Sequence, residues 1–495
     1  MLNEKFVLGI DLGTSSIKTM ALSQSKKIYT ESCPVTDITN TRGYSEEEPQ
    51  EWFDQMVETI MKLQTKDGIP LNKVDAISFS GQMHGLVLLD KNREVLCNSI
   101  LWNDTRSSTE VQEINEIIGN SEILNITGNK MVEAYLLPKL IWIKKNNPEI
   151  WNRINTILLP KDYLKFKITG KINTDVSDAT GTGMFDIKTK DWNQNLLAKF
   201  DIDPKWLPQI SDSVEVIGKV NADFSEITGI SQSTIVTSGA ADNAAGALGA
   251  GVIKDNQLLA SIGTSGVILR PEGELSENKT GILQLECAAI KDKYYSMGVT
   301  LAAGHSFAWL KKTFFDAISF NEMTELASAS PIGSNGLLYA PYISGERTPY
   351  FDAKIRGSFT NISDVNDSRD FIRSVMEGIT FSLNDIVNIY KKKNQSITSI
   401  IAIGGGAHSS VWLQMQADIF NVPIIILKSE QGPSLGAAIL ASVAANWFET
   451  IEDAVGEVVK YEENKYFPIE ENVKKYQSVY DEYSKIYNCT RMLEK

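Results

Sequence analysis

Four cysteines and three histidines in 495 residues leave little material for thiol or metal-ligand chemistry. Cys33, Cys97, Cys287 and Cys489 are scattered, with no Cys-x-x-Cys pair, so neither a zinc site nor a disulfide framework is expected. Reduced thiols in the cytoplasm are the default reading. His84, His305 and His408 do not stand at metal-ligand spacing. No apolar run reaches the length of a membrane span, and the run at 6–10 is too short for a signal-peptide core. Basic charge is scarce as well: 48 Lys and Arg face 62 Asp and Glu, a net charge of −14. That balance argues against a nucleic-acid or anionic-membrane partner, since both need a basic surface. An anionic nucleotide stays compatible, because backbone N–H groups, helix N-termini and a metal ion supply local positive potential. Two familiar phosphate signatures are missing too. Gly170-Lys171 is followed by isoleucine, so no Walker A motif is present. Gly404-Gly405-Gly406-Ala407 lacks the Rossmann spacing and any N-terminal βαβ unit with a ribose acid.

What the chain does have is a repeated hairpin. Residues 6–18 read as an apolar run, a Gly13-Thr14-Ser15 turn and a second strand-like run. Residues 258–269 repeat the pattern around Gly263-Thr264-Ser265. Such tips present backbone N–H groups and small hydroxyls in a compact loop, which suits phosphate oxygens. Only the first copy carries an acid, Asp11, at the end of its incoming strand. A single tip would read as an ordinary turn; two in matching contexts favour a nucleotide and its metal held between related halves. Asn243-Ala244-Ala245-Gly246-Ala247 and Pro433-Ser434-Leu435-Gly436-Ala437 form a second pair. Both open small-residue helical runs after strand-like segments, as at an interdomain seam. The first half then carries about sixty extra residues, a natural place for substrate specificity.

At this length two large domains are expected. Strands at 6–31, 74–80, 86–90, 235–238 and 397–403 alternate with helices at 49–63, 242–249 and 411–420, which argues for α/β layers. The boundary is placed near 249–256, giving domains 1–250 and 251–495.

Asp242 falls just past a strand end where a helix begins. A carboxylate there is favoured by the helix dipole, and position alone leaves an N-cap and a functional acid equally open. The small residues that follow clear space for a ligand. Gly81-Gln82-Met83-His84-Gly85 breaks two buried strands with polar groups, an arrangement suited to hydrogen-bonding a polyol. Gly404-Gly405-Gly406-Ala407 is either a plain strand-to-helix turn or a place where adenine or ribose approaches the backbone. Glu346 and Arg347 read as salt-bridged loop structure, and Asp104 stays open as a sugar contact.

Assembled in this order, the hairpins, Ser80 to Gly85, Leu101-Trp102-Asn103-Asp104 with Arg106, Pro160-Lys161-Asp162-Tyr163, Ala241 to Gly246, Gly345-Glu346-Arg347-Thr348-Pro349 and the 404–407 turn resemble the FGGY family of carbohydrate kinases over nearly the whole chain. The Gly-Gln-Met-His-Gly segment is most similar to members that phosphorylate D-xylulose. The resemblance implies an α/β architecture. Two domains of duplicated ribonuclease-H-like, actin/hexokinase-type ATPase fold would flank an interdomain cleft that closes on its substrates. It implies ATP-dependent phosphorylation of D-xylulose to D-xylulose 5-phosphate, feeding xylose catabolism. The alternatives are a kinase for ribulose, a hexulose or gluconate, and a non-catalytic nucleotide-binding protein of actin fold. By the same resemblance Asp242 would be the base on the sugar's 5-hydroxyl, and Asp11 would stand near magnesium. Met83, His84, Asp242 and Asn243 would contact the sugar. Gly13, Thr14, Ser15, Gly263 and Thr264 would hold phosphates, and Gly405, Gly406 and Ala407 would line the adenosine site. ATP and Mg2+ are the implied cofactors, sugar and ATP the partners, and a homodimer is left open. Leu136 and Tyr350 depart from the family's usual residues at their positions.

Overall fold

The computed structural model describes residues 4–39, 43–276, 278–393 and 395–493. They divide into two compact units. In the first, β1 (Phe6–Leu12) and β2 (Ser16–Ser23) form the hairpin, and β3 (Ile28–Pro34) extends the antiparallel meander. The helix α1 (Pro49–Thr65) follows, starting on a proline at its first position and burying Trp52, Met56, Ile60 and Leu63 along one face. It leads to β4 (Val74–Gly81), which lies parallel to β1. After α2 (Pro160–Thr169), the strands β5 (Val216–Lys219) and β6 (Ile235–Thr237) complete a sheet in the order β5-β6-β4-β1-β2-β3. The helix α3 (Asp242–Gly249) ends this part of the chain. β1 and β4 are buried almost throughout, as central strands covered on both faces require.

The second unit repeats the plan. The strands β7 (Gln257–Ile262) and β8 (Gly266–Glu272) form an antiparallel hairpin, and β9 (Tyr294–Thr300) lies beside β8. The helices α4 (Gly304–Phe314) and α5 (Ser368–Lys392) intervene before β10 (Ser399–Gly404), which runs parallel to β7. The helix α6 (Ser410–Phe420) and the parallel strand β11 (Ile424–Ile426) follow. The strand order β9-β8-β7-β10-β11 matches β3-β2-β1-β4-β6, with the same parallel and antiparallel relations about the first strand. Both units therefore have the α/β, ribonuclease-H-like arrangement expected of a duplicated actin/hexokinase-type ATPase fold.

The chain passes between the units more often than a single boundary near 250 anticipates. Residues 272–295 and 431–459, assigned by the sequence to the C-terminal half, fold with the first unit, and residues 254–271, 296–430 and 460–495 form the second. The reason lies in α7 (Pro433–Ala444). Its small residues pack against β1, β4 and α3. A Cβ on Gly436 would lie 1.9 Å from the Ala245 carbonyl oxygen, so only glycine allows this approach. The two small-residue helices are thus partners inside one unit. Among the described residues no helix is long and apolar enough to cross a membrane.

Candidate active site

β4 brings the two candidate acids together. Its Ser80 pairs with Asp11 of β1 on one side and with Ala240 on the other, two residues before Asp242. Asp11 is half-buried, with Lys18 as its partner across the hairpin. Its Oδ1 is shielded from solvent and has no hydrogen-bond partner. Burial pushes the carboxyl up to about 6, against the pull of Ser80 and Lys18. Asp242 is the first residue of α3 and does not cap it; Ala241 occupies the cap position. The Asp242 Oδ1 accepts from the backbone N–H and the Nδ2 of Asn243, at 2.6 and 3.0 Å. Burial first, then repulsion from Asp11, pushes its carboxyl up to about 7. Asp11 thus adds to the raising of Asp242, and both half-buried carboxyls stand well above the ordinary aspartate value.

A buried ionic cluster fixes the strand end that delivers Asp242. Lys161 lies 2.7, 2.8 and 3.0 Å from Asp162, Asp175 and Asp178, all fully buried. Burial works against the Lys161 charge, but the three carboxylates outweigh it and hold its pKa well above the usual lysine value. Asp175 caps the short helix Val176–Ala179, and Ser177 of that helix accepts the Ala241 N–H at 2.9 Å. Asp175 and Asp178 carry no signal in the sequence beyond being acids in an apolar stretch.

Beyond β4 the backbone turns through His84 at φ 69°, a left-handed conformation uncommon outside glycine. The His84 Nδ1 lies 2.7 Å from the Gly181 carbonyl oxygen, so Nδ1 carries the hydrogen. Its ring sits 5.2 Å from that of Tyr135. Lys139, fully buried, donates to the His84 and Ile100 carbonyls at 2.7 and 3.3 Å, and burial holds its pKa well below the lysine value. The Met83 sulfur accepts from Asn243 Nδ2 at 3.7 Å and from the buried Tyr295 hydroxyl at 4.0 Å. Met83, Asn243 and Asp242 are therefore assembled as one wall, with His84 locked behind it. Tyr295 was not anticipated from the sequence.

In the first hairpin the Gly13 N–H closes the turn onto the Ser16 carbonyl at 3.0 Å, leaving Thr14 half-buried and Ser15 exposed. In the second, Gly263 N–H bonds the Ser265 carbonyl at 3.0 Å. The start of α4 braces that tip: Gly304 N–H donates to Gly263 and His305 N–H to Thr264, at 2.7 and 3.1 Å. Gly263 and Thr264 open onto a pocket of about 490 Å³, with Gly405 and Gly406 on its wall. Gly406 packs so tightly on Ile262 that a Cβ would lie 2.6 Å from its Cδ1. Ala407 belongs to the same 3₁₀ turn but is not a lining residue. The aromatic side of the pocket, Phe307 with Phe320 at 5.6 Å and Trp412 at 5.2 Å, comes from three separate helices and has no local sequence signature. An apolar slot beside glycine backbone suits a flat heteroaromatic base.

Other candidates prove to be structural. Both oxygens of buried Asp104 are taken, by the N–H of Ser45, the N–H of Arg106 and the Arg106 guanidinium. That guanidinium stacks 3.9 Å from the Tyr44 ring centre. Glu346 is not the salt-bridged loop acid expected. It is buried and bonded by the hydroxyls of Thr300 and Ser382 and the N–H groups of Leu301 and Arg347, with burial raising it to about 7. Leu136 packs in an apolar core, and Tyr350 stacks on Tyr487 at 3.6 Å, so each departure from family usage is absorbed in packing.

Two family models match the chain, the N-terminal domain of the FGGY family of carbohydrate kinases over residues 6–249 and the C-terminal domain over 258–445. A xylulose kinase of Bacillus subtilis is 42% identical over 490 residues, spanning 99% of this chain and 98% of its own. The structure of a ligand-bound xylulose kinase from Lactobacillus acidophilus superposes with a TM-score of 0.93 at 30% identity, covering 98% of both chains. A gluconate kinase from the same organism gives 0.92 at 31% identity, again over 98% of both.

Proposed function

The chain belongs to the FGGY family of carbohydrate kinases, and from that premise we propose that it transfers the terminal phosphoryl group of ATP to D-xylulose, giving D-xylulose 5-phosphate. The observation that carries the reading within the site is the Asp242 carboxyl, half-buried at the head of α3 and flanked by Asn243 and Met83. The likeness to the Bacillus subtilis xylulose kinase over almost the full length supports the choice of sugar.

Phosphoryl transfer asks for positioning and charge stabilisation more than for covalent chemistry. Asp242, raised to about 7, accepts the proton of the sugar's terminal hydroxyl as that oxygen attacks the terminal phosphorus. Met83, His84 and Asn243 orient the ketose. Asp11 would hold Mg2+, and its orphaned Oδ1 fits a cation that takes one or two carboxylates alongside phosphate oxygens and water. The ion supplies neutralisation of phosphate charge. Thr14 and Ser15 in the first hairpin, and Thr264 in the second, offer backbone amides to phosphate on tips that Gly13 and Gly263 close through their own N–H groups. Gly405, Gly406 and the neighbouring Ala407 frame the adenosine. Sugar binding and the catalytic acids are thereby assigned to residues 1–250, and the adenosine site to residues 251–495, with a phosphate-binding hairpin in each.

The test is coupled ADP release with ATP and magnesium over ketopentoses, hexuloses, polyols and gluconate. A preference for D-xylulose is expected. A preference for gluconate would favour the second reading, which the gluconate kinase structure supports on overall likeness alone. Because Leu136 and Tyr350 are packed away, an altered specificity would point first to Met83 and Asn243 in the wall and to His84 behind it. No turnover on any sugar would leave a nucleotide-binding protein.

A further inference from the structure

A chain of four hydrogen bonds runs from the core to the tip of the first hairpin. Trp52 Nε1 donates to Glu47 Oε2 at 2.7 Å, and Gln82 Nε2 donates to the same oxygen at 2.8 Å. Thr14 Oγ1 lies 3.1 Å from Gln82 Oε1, and Trp102 Nε1 lies 2.9 Å from Thr14 Oγ1. Trp52 and Glu47 are fully buried and Gln82 is 2% exposed, whereas Trp102 is 42% exposed. Gln82 is also pinned through its backbone, whose N–H donates to the Leu12 carbonyl at 2.7 Å.

The direction of this chain is fixed by its two ends. An indole N–H can only donate. Glu47 Oε2 must therefore accept from Trp52, and as an acceptor it takes the Gln82 NH2 group, which turns the Gln82 carbonyl oxygen toward Thr14. Thr14 has a single hydroxyl hydrogen, and that carbonyl claims it. At the far end Trp102 can only donate, which demands the same polarity of Thr14. Burial pushes Glu47 up to about 8. A proton taken up there would sit on Oε1, which has no hydrogen-bond partner, and would leave Oε2 accepting, so the direction holds in both charge states.

We propose that Glu47 and Gln82 are positioning residues that turn the Thr14 hydroxyl hydrogen inward, so that Thr14 seats Trp102 as an acceptor and its hydroxyl does not donate to phosphate. Thr14 then differs from an ordinary phosphate-binding threonine, whose hydroxyl donates to the anion. Gln82 is the hinge of the device, since it sits between the hairpin and its chain neighbour Met83 on the sugar wall.

The test combines a spectroscopic arm, which is independent of any activity, with a kinetic arm that rests on the phosphoryl-transfer reading. In full-length protein labelled with ¹⁵N at tryptophan, the Trp102 indole resonance is identified by its loss in Trp102→Phe. It is expected to shift in Thr14→Val and in Gln82→Met and to stay in place in Thr14→Ser. In sugar phosphorylation, Trp102→Phe is expected to lower kcat/KM for the sugar about fivefold, the loss of one hydrogen bond, and Thr14→Val, which removes two, by at least as much. The double variant should be no worse than Thr14→Val alone, and the sugar KM should rise more than the ATP KM. An indole resonance unmoved by Thr14→Val overturns the proposal. So does an ATP KM that rises more than the sugar KM in that variant, or two effects that multiply. Should Gln82→Met fail to fold, the valine and serine pair at Thr14 on the hairpin surface carries the test. Should no sugar be phosphorylated, the kinase reading falls while the resonance shifts still decide this one.

Discussion

Asp11 and Ser261 occupy the same place in two copies of one hairpin. Each is the penultimate residue of its incoming strand, two positions before a Gly-Thr-Ser tip, and each has a parallel neighbour strand that ends on a glycine, Gly81 in one unit and Gly404 in the other. Across the hairpin Asp11 faces Lys18 and Ser261 faces Val267. Past the neighbouring glycine, the first copy continues into Gln82, Met83 and His84, and the second into the bare turn at 405–407. The backbone frame is held constant while the side chains on it are exchanged: a carboxylate and a polar wall in one unit, a serine and an aromatic slot in the other. Function in this chain is written on a repeated scaffold and not in it.

The comparison breaks most sharply at the acids. Asp242→Ala is expected to lower kcat by at least about 10²-fold, the low end for loss of a general base, with nucleotide binding retained. Steady-state kinetics with equilibrium nucleotide titration checks both halves. Near-normal turnover would remove Asp242 from its role and leave the two units differing in decoration only. A smaller effect follows from ionisation. A base that titrates at about 7 is active above that pH and protonated below it. Sugar kcat/KM should therefore fall about tenfold between pH 8 and pH 6. A flat profile over that range would mean that the base is already ionised. Smaller again is the exchange Ser261→Asp, which gives the second hairpin the acid of the first without the facing lysine. Repulsion between that carboxylate and phosphate should raise the ATP KM about fivefold and leave the sugar KM less affected. An unchanged ATP KM would show that this hairpin does not meet phosphate.

Much of this frame is legible in the residues, because its signals are local. The apolar runs, the Gly-Thr-Ser tips, Asp11 and the acid at the head of a small-residue helix each lie within about a dozen positions, the span over which periodicity and turn chemistry act. What stays hidden is assembled over long separations. Gly436 reads as a second seam helix, yet it meets Ala245 inside the first unit. Phe307, Phe320 and Trp412 lie on separate segments, and only the fold sets them in one pocket with Gly405 and Gly406. Lys161 is named in the sequence only as part of the 160–163 segment, and nothing local marks Asp175 and Asp178 as its partners. Glu47 is one of three consecutive acids, and nothing local marks it as the one turned inward to Gln82. In each instance the missing information is a pairing, which composition and period do not encode.

The smallest effect is on stability, and it runs opposite to the effect on rate. Asp11 and Asp242 have folded-state pKa values of about 6 and about 7, above the ordinary aspartate value, with burial as the leading cause in both. The folded chain therefore holds these protons more tightly than the unfolded chain. This contribution to stability is fully present below the unfolded value of about 4 and is lost as pH rises through the folded values. At pH 8 both carboxylates are ionised in a setting that disfavours their charge. Ser261, uncharged at every pH, imposes no such cost on the second hairpin. Asp11→Asn should accordingly raise Tm by a few degrees at pH 8, the gain shrinking toward pH 4, and Ser261→Asn should show no such pH-dependent gain. Thermal melts of the two variants across that range compare the hairpins directly. A lower Tm for Asp11→Asn at pH 8 would mean that Lys18 and Ser80 stabilise the carboxylate more than burial opposes it, and the first hairpin would then hold its acid as a structural ion.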